Sequence, residues 1–372
     1  MKAKILLTLL TIAVVSTASA QKADLDKYSF TATYRDLPRM GLDTSFKTFS
    51  IQTVLTRNSS FMLKDEQPDE RVFIAGWKKL PSHAHITVDV RMEDIKVESS
   101  DVKERIQILK DKNGKETGRR FFYSTEIIYS FASFMRVNDF RGKEIMQRTL
   151  SSRNNLRTYR TKEFNSQQEA LTAFISNVNE VTSLITSNEV NRSMNEVNDI
   201  LNAGLGYPQK TVGDYLWILD TKKHPEYKAH RQAFTSFKQA MFQMRADKPL
   251  DEVKEMLKPS IAYFEKMKKK YNSESKSDRK IRYASYYNLA KIYYYLDMPE
   301  ASLFEAGQLM INDYDEKDGR GLEAAATDLK YLLELNKTNT RHFPIYEESI
   351  PISHSLDNSS SQGDWRAYVN QY

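Results

Sequence analysis

The sequence predicts an α+β protein in which an N-terminal β-rich module precedes a C-terminal array of helices. Two observations support this prediction. Between residues 23 and 160, apolar side chains recur at every second position and turn signals separate the runs, as in antiparallel strands. From about residue 164, apolar side chains recur at helical spacing instead, which indicates amphipathic helices.

These changes of pattern predict four segments. Residues 1–20 form a signal peptide, residues 21–162 an antiparallel β-sandwich-like domain, and residues 163–337 a helical domain. Residues 338–372 form a tail that is partly disordered, because its Ser- and Asn-rich part cannot supply a core.

The N-terminus has the three parts of a secretory signal. Lys2 and Lys4 precede an apolar run at residues 5–15, and Ala18-Ser19-Ala20 follows as a small-x-small cleavage site. The apolar run is about half of the ~20 residues that a membrane span needs. We expect cleavage after Ala20 and no transmembrane span in the mature chain.

A mature chain that opens with Gln21 after Ala-x-Ala is similar to exported proteins of Bacteroidota. Export by the signal peptide implies the periplasm, the cell surface or the medium, and we expect a periplasmic or cell-surface location. No cysteine follows the apolar run, so the lipid anchor of a bacterial lipoprotein is not expected.

Composition excludes several kinds of chemistry. The chain contains no cysteine, so disulfides, thiol nucleophiles and thiolate metal sites are impossible. The formal net charge of +6 would fall to +4 on loss of Lys2 and Lys4. This mild excess is spread along the chain, whereas nucleic-acid binding favours a concentrated basic stripe. We expect no nucleic-acid partner.

The clearest strand lies at residues 86–92, where Ile86, Val88 and Val90 alternate with polar neighbours. Residues 28–34 and 46–55 predict two earlier strands. Asn113-Gly114 predicts a hairpin with a type I′ turn, which needs positive φ at both central positions. A second turn is predicted at residues 139–142.

The helical part begins at a predicted capping box, Ser166 with Glu169. The stretch that follows, up to Gly204, fits one helix or two. Residues 222–336 predict five further helices. Pro259 is expected to kink or split the second of these, and Asp297 with Glu300 to cap the fourth.

One part of this array resembles a tetratricopeptide repeat. Tyr286, Leu289, Ala290 and Tyr293 have the spacing of its first helix, and Pro299-Glu300-Ala301 with Ala306 fits its second. The match covers about one repeat of some 34 residues. It departs from the family pattern because Ala301 lies one place early and no proline closes the repeat near Tyr314. The resemblance implies stacked helical hairpins in which small residues let paired helices pack closely.

Candidate catalytic and metal-binding residues are few. His83 and His85 would share one face of a strand, but a metal would need a third ligand from elsewhere. Surface or strand-end histidines are the other interpretation of this pair, and we predict no metal and no cofactor. His224 and His230 lack zinc-protease spacing. No nucleophile elbow, phosphate-binding loop or dinucleotide-binding motif occurs, so we predict no catalytic residue and no enzymatic activity.

Aromatic residues are the strongest candidates for recognition. Six tyrosines between residues 283 and 295 cannot all face inward at 3.6 residues per turn. Those that stay exposed suit recognition, whereas the others would fill helix–helix seams. The C-terminal aromatics either end a disordered tail or form a short docking peptide. The predicted partner-binding residues are Tyr283, Tyr286, Tyr287, Tyr294, Trp365 and Tyr368.

A short basic run, at Lys266 and Lys268–Lys270, lies near a predicted helix end. It suits the helix dipole and solvent, or alternatively an anionic partner.

Together these observations predict a non-catalytic cell-envelope protein. It would act as a scaffold that binds a protein or peptide partner through its helical array, for example within an outer-membrane complex. The alternative is a glycan-directed binding protein or hydrolase whose site lies on the sandwich or between the domains. Converging carboxylates in a cleft beside Trp77 or Trp217 would favour it. The oligomeric state is left open.

Overall fold

The computed structural model describes residues 22–63, 67–312 and 314–346. These residues form an α+β protein, with antiparallel strand pairs and a helical C-terminal region, as predicted. The predicted signal peptide, Trp365 and Tyr368 lie outside the described residues.

The elements of the described chain have the following bounds. The strands are β1 Leu25–Arg35, β2 Thr48–Leu55, β3 Lys78–Lys79, β4 Ile86–Met92, β5 Lys96–Lys110, β6 Glu116–Ser130, β7 Ser133–Asp139, β8 Glu144–Ser151, β9 Arg157–Arg160 and β10 Gln209–Leu219. The helices are α1 Arg57–Met62, α2 Gln167–Ser176, α3 Val178–Leu205, α4 Tyr227–Gln243, α5 Asp251–Lys270, α6 Lys276–Tyr295, α7 Pro299–Ile311 and α8 Glu316–Leu335.

The chain divides into two compact units, and each is built from two segments. The helical unit contains the described residues up to Tyr34 together with Thr211–Tyr331. The sheet unit contains Arg35–Lys210 together with the residues from Leu332 onward. This division differs from the predicted boundary between residues 162 and 163. One reason is that β1, near the N-terminus, pairs with the distant β10.

The sheet unit is centred on a five-stranded sheet with the order β3-β2-β4-β7-β8. β2 runs parallel to β3 and β4, whereas β7 and β8 continue the sheet in antiparallel pairs. Ile86, Val88 and Val90 are fully buried on one face, which confirms the period-2 prediction. That face packs against Val190 and Met194 of α3 in one core cluster. The layer that covers this sheet is therefore a helix.

A separate three-stranded sheet has the order β5-β6-β9. β5 and β6 form the predicted hairpin, but the predicted type I′ turn is wrong. Gly114 has a φ of 80°, whereas Asn113 has no positive φ. Oδ1 of Asp111 accepts the backbone amides of Asn113 and Lys115, each at 2.9 Å. This side chain thus stabilises a longer turn that needs left-handed backbone only at the glycine.

The helical unit contains the two-stranded pair β1–β10. Its largest core cluster includes Phe30 of β1, Leu216 and Ile218 of β10, and Phe237 of α4. No pattern in the sequence predicted β10. Large apolar side chains occur at successive positions of this strand because it is packed on both faces, so no polar alternation marks it.

The helix predictions hold with three corrections or refinements. One half of the capping box is confirmed, since the amide of Glu169 donates to Oγ of Ser166 over 3.2 Å, whereas the Glu169 carboxylate accepts the amide of Asn165 instead, over 3.3 Å. Two helices follow with a break at Asn177. Pro259 does not split α5, which is continuous. Asp297 does not cap α7, because the N-cap is Met298 and Asp297 has a φ of 56°.

Candidate interaction surfaces

Four of the predicted partner-binding residues lie on α6, and the structure separates them into two pairs. Tyr283 and Tyr287 are buried, whereas Tyr286 and Tyr294 are half-buried. The prediction that the tyrosines of this helix cannot all face inward is confirmed. Any contact with a partner from this set of four depends mainly on Tyr286 and Tyr294.

The buried pair helps to attach α6 to β10. The ring of Tyr287 stacks on Tyr215 with centroids 5.7 Å apart, and Trp217 lies 6.3 Å from both Tyr283 and Tyr287. The side chain of Asn288 accepts a hydrogen bond from the Trp217 amide and donates one to the Trp217 carbonyl, each over 2.9 Å. These rings fill a seam within the helical unit. The sequence left open whether the tyrosines serve recognition or packing, and Tyr283 and Tyr287 serve packing.

The same tyrosines are not activated for chemistry. Burial raises the pKa of Tyr283, and its hydrogen bond to Asp318 raises it further. Burial likewise raises the pKa of Tyr287, with a further contribution from its hydrogen bond to Tyr215. Both phenols stay neutral at physiological pH and are poor nucleophiles.

Lysines of the chain itself occupy the cation-binding faces of this cluster. The Nζ of Lys27 lies 4.3 Å from the centroid of the Tyr215 ring, and the Nζ of Lys291 lies 5.5 Å from that of Tyr287. Both distances are within the ~6 Å of a cation–π contact. Lys291 is also paired with Asp214 at 2.6 Å. A cationic ligand would have to displace these side chains.

The arrangement expected of a glycan site is not found around the two tryptophans named for it. Trp77 is buried in the sheet unit, where its Nε1 donates to the carbonyl of Leu205 over 2.9 Å. Trp217 lies within the aromatic cluster, and nearby Asp214 accepts a 2.6 Å hydrogen bond from Tyr295. Trp217 is half-buried, and the Nζ of Lys27 lies 5.2 Å from the centroid of its ring.

A different apolar surface is exposed on α7. Phe304 and Ile311 are 62% and 75% exposed, and a spacing of seven residues places them on one side of the helix. Ser302, Ala306 and Leu309 are buried on the opposite side. The sequence analysis missed this surface, although the seven-residue spacing outside the buried stripe was a usable signal. We call Phe304 and Ile311 the α7 face.

The β5–β6 hairpin exposes a second apolar surface. Ile106, Ile108 and Phe121 are 46%, 50% and 44% exposed. The strand register places Ile106 directly opposite Phe121, and Ile108 lies on the same side two residues further along. The sequence predicted the hairpin but not the exposure of these apolar side chains. An alternating pattern does not show whether either face of the hairpin packs against a core.

The two histidines of the His83-x-His85 pair occupy different environments. His85 is buried and its Nδ1 lies 2.6 Å from Oγ1 of Thr48. His83 is exposed, has a φ of 52° and lies before the start of β4. The expectation that both imidazoles share one face of a strand is wrong. Among the described residues, no group of three or more side chains suits a metal ion.

His224 and His230 belong to a buried polar cluster in the helical unit. Nδ1 of His224 accepts the amide of Glu226 over 3.2 Å, and Lys270 pairs with the Glu226 carboxylate. Burial lowers the pKa of His224 and lowers that of His230 to about 3. Burial opposes ionisation of Glu226, but the hydrogen bonds from Lys270, Tyr263 and Tyr271 together with the Lys270 charge outweigh it, and the pKa is lowered. The cluster keeps both imidazoles neutral.

The basic run near the end of α5 does more than meet solvent. The Nζ of Lys268 lies 2.8 Å from Glu305 of α7 and 2.9 Å from Glu265. Lys270 pairs with Glu226. Two of the four lysines therefore form ion pairs with acidic residues outside α5. Lys266 and Lys269 remain exposed.

Among the described residues, no helix has the length and the apolar character that a membrane crossing requires. No model of a known protein family matches the chain, and no curated protein is significantly similar to it.

Proposed function

We propose that this protein is an exported, non-catalytic interaction protein that holds a protein or peptide partner of the cell envelope on the α7 face of its helical unit. The observation that carries the proposal is the exposure of Phe304 and Ile311 on one side of α7. Two large apolar side chains, one of them aromatic, suit the core of a recognition surface.

The α7 face is not required for packing within the unit. The helix already buries Ser302, Ala306 and Leu309 on its inner side, so Phe304 and Ile311 contribute little to the core. A contiguous exposed apolar surface without a packing role is typical of interaction sites. We therefore propose Phe304 and Ile311, in place of Tyr283 and Tyr287, as the main partner-binding residues. Tyr286 and Tyr294 are candidate supporting contacts.

The finer architecture is part of the same proposal. In a tetratricopeptide-like hairpin a small residue on the second helix lets it approach the first, and here Ser302 packs on Ala290. The same kind of contact recurs between α5 and α4, where Oγ of Ser260 donates to the carbonyl of Ala233 over 2.9 Å. These contacts support a tetratricopeptide-like array. The sandwich-like description of the β-rich part stays a prediction.

Export is the first element to test. We expect the mature protein, isolated from the envelope fraction of the cells that produce it, to begin at Gln21 when its N-terminus is sequenced. Recovery of a chain that begins at Met1 in the cytoplasmic fraction would contradict this element and leave the binding surface untouched.

The binding surface is tested by site-specific photo-crosslinking in intact cells. A crosslinking amino acid at position 304 should join the chain to one defined protein. The same amino acid at position 242 is the matched control, because Phe242 is 82% exposed on α4 of the same unit. A product at both positions, or at neither, would contradict the proposal. The purified pair should then lose at least ~10-fold in affinity on Phe304→Ala.

The glycan-directed alternative stays a prediction that no described contact favours. Binding of the purified mature chain to envelope glycans, unchanged by Phe304→Ala, would favour it over the interaction protein.

A further inference from the structure

The outer edge of β5 is open over a long stretch. β5 pairs with β6 on one side only, and among the described residues no strand covers its other side. The β5–β6 register shifts between Val97 and Ser99 and again between Leu109 and Lys110, so the pairing is regular from Ser99 to Leu109. An exposed regular edge is a template for another strand.

The distal part of the hairpin also carries apolar side chains in water. Ile106, Ile108 and Phe121 form one contiguous patch beside the open edge. A two-stranded hairpin alone is marginally stable, and this part of it lies beyond the β9 pairing, which covers only Glu126–Tyr129 of β6. The patch and the edge would be covered together by strands added beside β5.

The charge pattern along this edge identifies the occupant. The base of the hairpin, at residues 98–104, carries three acids and one lysine, whereas its tip, at residues 110–115, carries three lysines and one acid. Two copies of such a strand in antiparallel pairing bring the acidic base of each beside the basic tip of the other. Opposite charges across paired strands stabilise a sheet.

We propose that two copies of this chain pair through β5 in an antiparallel, two-fold symmetric sheet centred on Gln107. This register places Glu104 opposite Lys110 of the second copy and Ile106 opposite its Ile108, each twice by symmetry. Residues 104, 106, 108 and 110 share one face of β5. The isoleucines of both copies therefore form one apolar patch, with Phe121 next to it on either side.

Registers centred nearer the base of the hairpin are less favourable. A two-fold axis at Lys103, Glu104 or Arg105 places that charged residue opposite itself, and like charges directly opposite destabilise a sheet. The axis at Gln107 avoids this and leaves an uncharged residue at the centre.

The absence of cysteine from the sequence allows a direct test of the register. In Gln107→Cys, the new thiol lies opposite its own copy, at a separation that suits a disulfide. We expect a covalent dimer on mild oxidation of the full mature chain, even when it is dilute. Lys115→Cys, at the exposed tip of the same hairpin, is the control and should form little covalent dimer. Equal crosslinking at both positions would overturn the register.

Charge exchange tests the pairing without any crosslink. Sedimentation velocity should show a concentration-dependent dimer, and Glu104→Lys should weaken it about tenfold or more, because two like-charge pairs form per dimer. The double change Glu104→Lys with Lys110→Glu restores both pairs and should return the dimer. Glu323→Lys, the same charge change on the exposed side of α8, is the control and should leave the dimer unchanged. A wild-type chain that stays monomeric at all concentrations, or a double variant as weak as the single one, would overturn the proposal.

Discussion

Ser302 of α7 donates its hydroxyl hydrogen to the carbonyl oxygen of Ala290 on α6 over 2.8 Å, and both residues are fully buried. In the tetratricopeptide-like hairpin that we propose, this contact would take the place of the one expected of Ala301. Ala301 lies one place early, but Ser302 lies at the place where the helices meet. A small side chain there allows the close approach, and its hydroxyl is satisfied by the carbonyl that it meets.

At position 302 the size of the side chain should matter more for stability than its hydroxyl group. Ser302→Ala removes one hydrogen bond and should lower the free energy of unfolding by about 1 kcal/mol. Ser302→Leu should lower it by at least ~2 kcal/mol, because overpacking forces α7 away from α6. Urea unfolding of both variants measures the difference. If Leu proved no worse than Ala, close packing of the two helices at this point would be contradicted.

The ion pair between Lys268 and Glu305 gives a second prediction. Both side chains are largely buried, and burial raises the pKa of Glu305 although the lysine opposes this. Lys268→Met leaves the carboxylate without its cation and should lower the free energy of unfolding by roughly 3 kcal/mol at neutral pH.

Two controls distinguish this cause from a general loss of charge. Lys269→Met removes the exposed neighbouring lysine and should change stability by less than ~0.5 kcal/mol. Lys268→Met combined with Glu305→Leu removes both charges and should recover most of the loss. A double variant less stable than the single one would show that the unpaired carboxylate is not the cause.

His230 predicts a defined pH dependence of stability. Burial lowers its pKa from 6.5 to about 3, so the folded protein keeps it neutral while the unfolded chain binds a proton below ~6.5. Stability should therefore fall as the pH drops from about 6.5 toward 3. The contribution of this residue between pH 7 and pH 5 is about 2 kcal/mol.

The measurement is the free energy of unfolding at several pH values for the wild type and for His230→Gln. Between pH 7 and pH 5 the free energy of unfolding of the variant should change less steeply with pH, by an amount that corresponds to about one bound proton. His224 has a lowered pKa as well, so some slope should remain. Glu226, the carboxylate of the same cluster, has a lowered pKa and contributes only in more acidic solution. An unchanged slope would mean that His230 is accessible to protons in the folded state.

Local patterns in the sequence were sufficient for most of the individual elements. The alternation at Ile86, Val88 and Val90 predicted a strand, and Ser166 with Glu169 predicted a helix start, because both signals depend on neighbours in the chain. β10 was missed because Leu216 and Trp217 face two different packed layers, which removes the polar half of the pattern.

The candidate site was harder to predict, because exposure is decided by contacts between distant segments. Nothing near Tyr287 in the sequence shows that Tyr215 will cover its ring. The spacing of Phe304 and Ile311 was visible, but whether that side of α7 meets another helix depends on the whole unit. The clustered tyrosines of α6 therefore did not indicate which aromatic side chains stay exposed.

The last prediction separates buried from exposed aromatics by stability. Tyr287→Ala should lower the free energy of unfolding by about 3 kcal/mol or more, because it removes a buried ring that packs on Tyr215 and Trp217. Phe304→Ala should change it by less than ~0.5 kcal/mol, since that ring lies largely in solvent. Tyr287→Phe keeps the ring and isolates its hydroxyl, and should cost only about 1 kcal/mol. Thermal or urea unfolding of the three variants measures these differences. If Tyr287→Ala were as stable as the wild type, Tyr287 would again be a candidate for recognition. If Phe304→Ala were strongly destabilised, the α7 face would be part of the core.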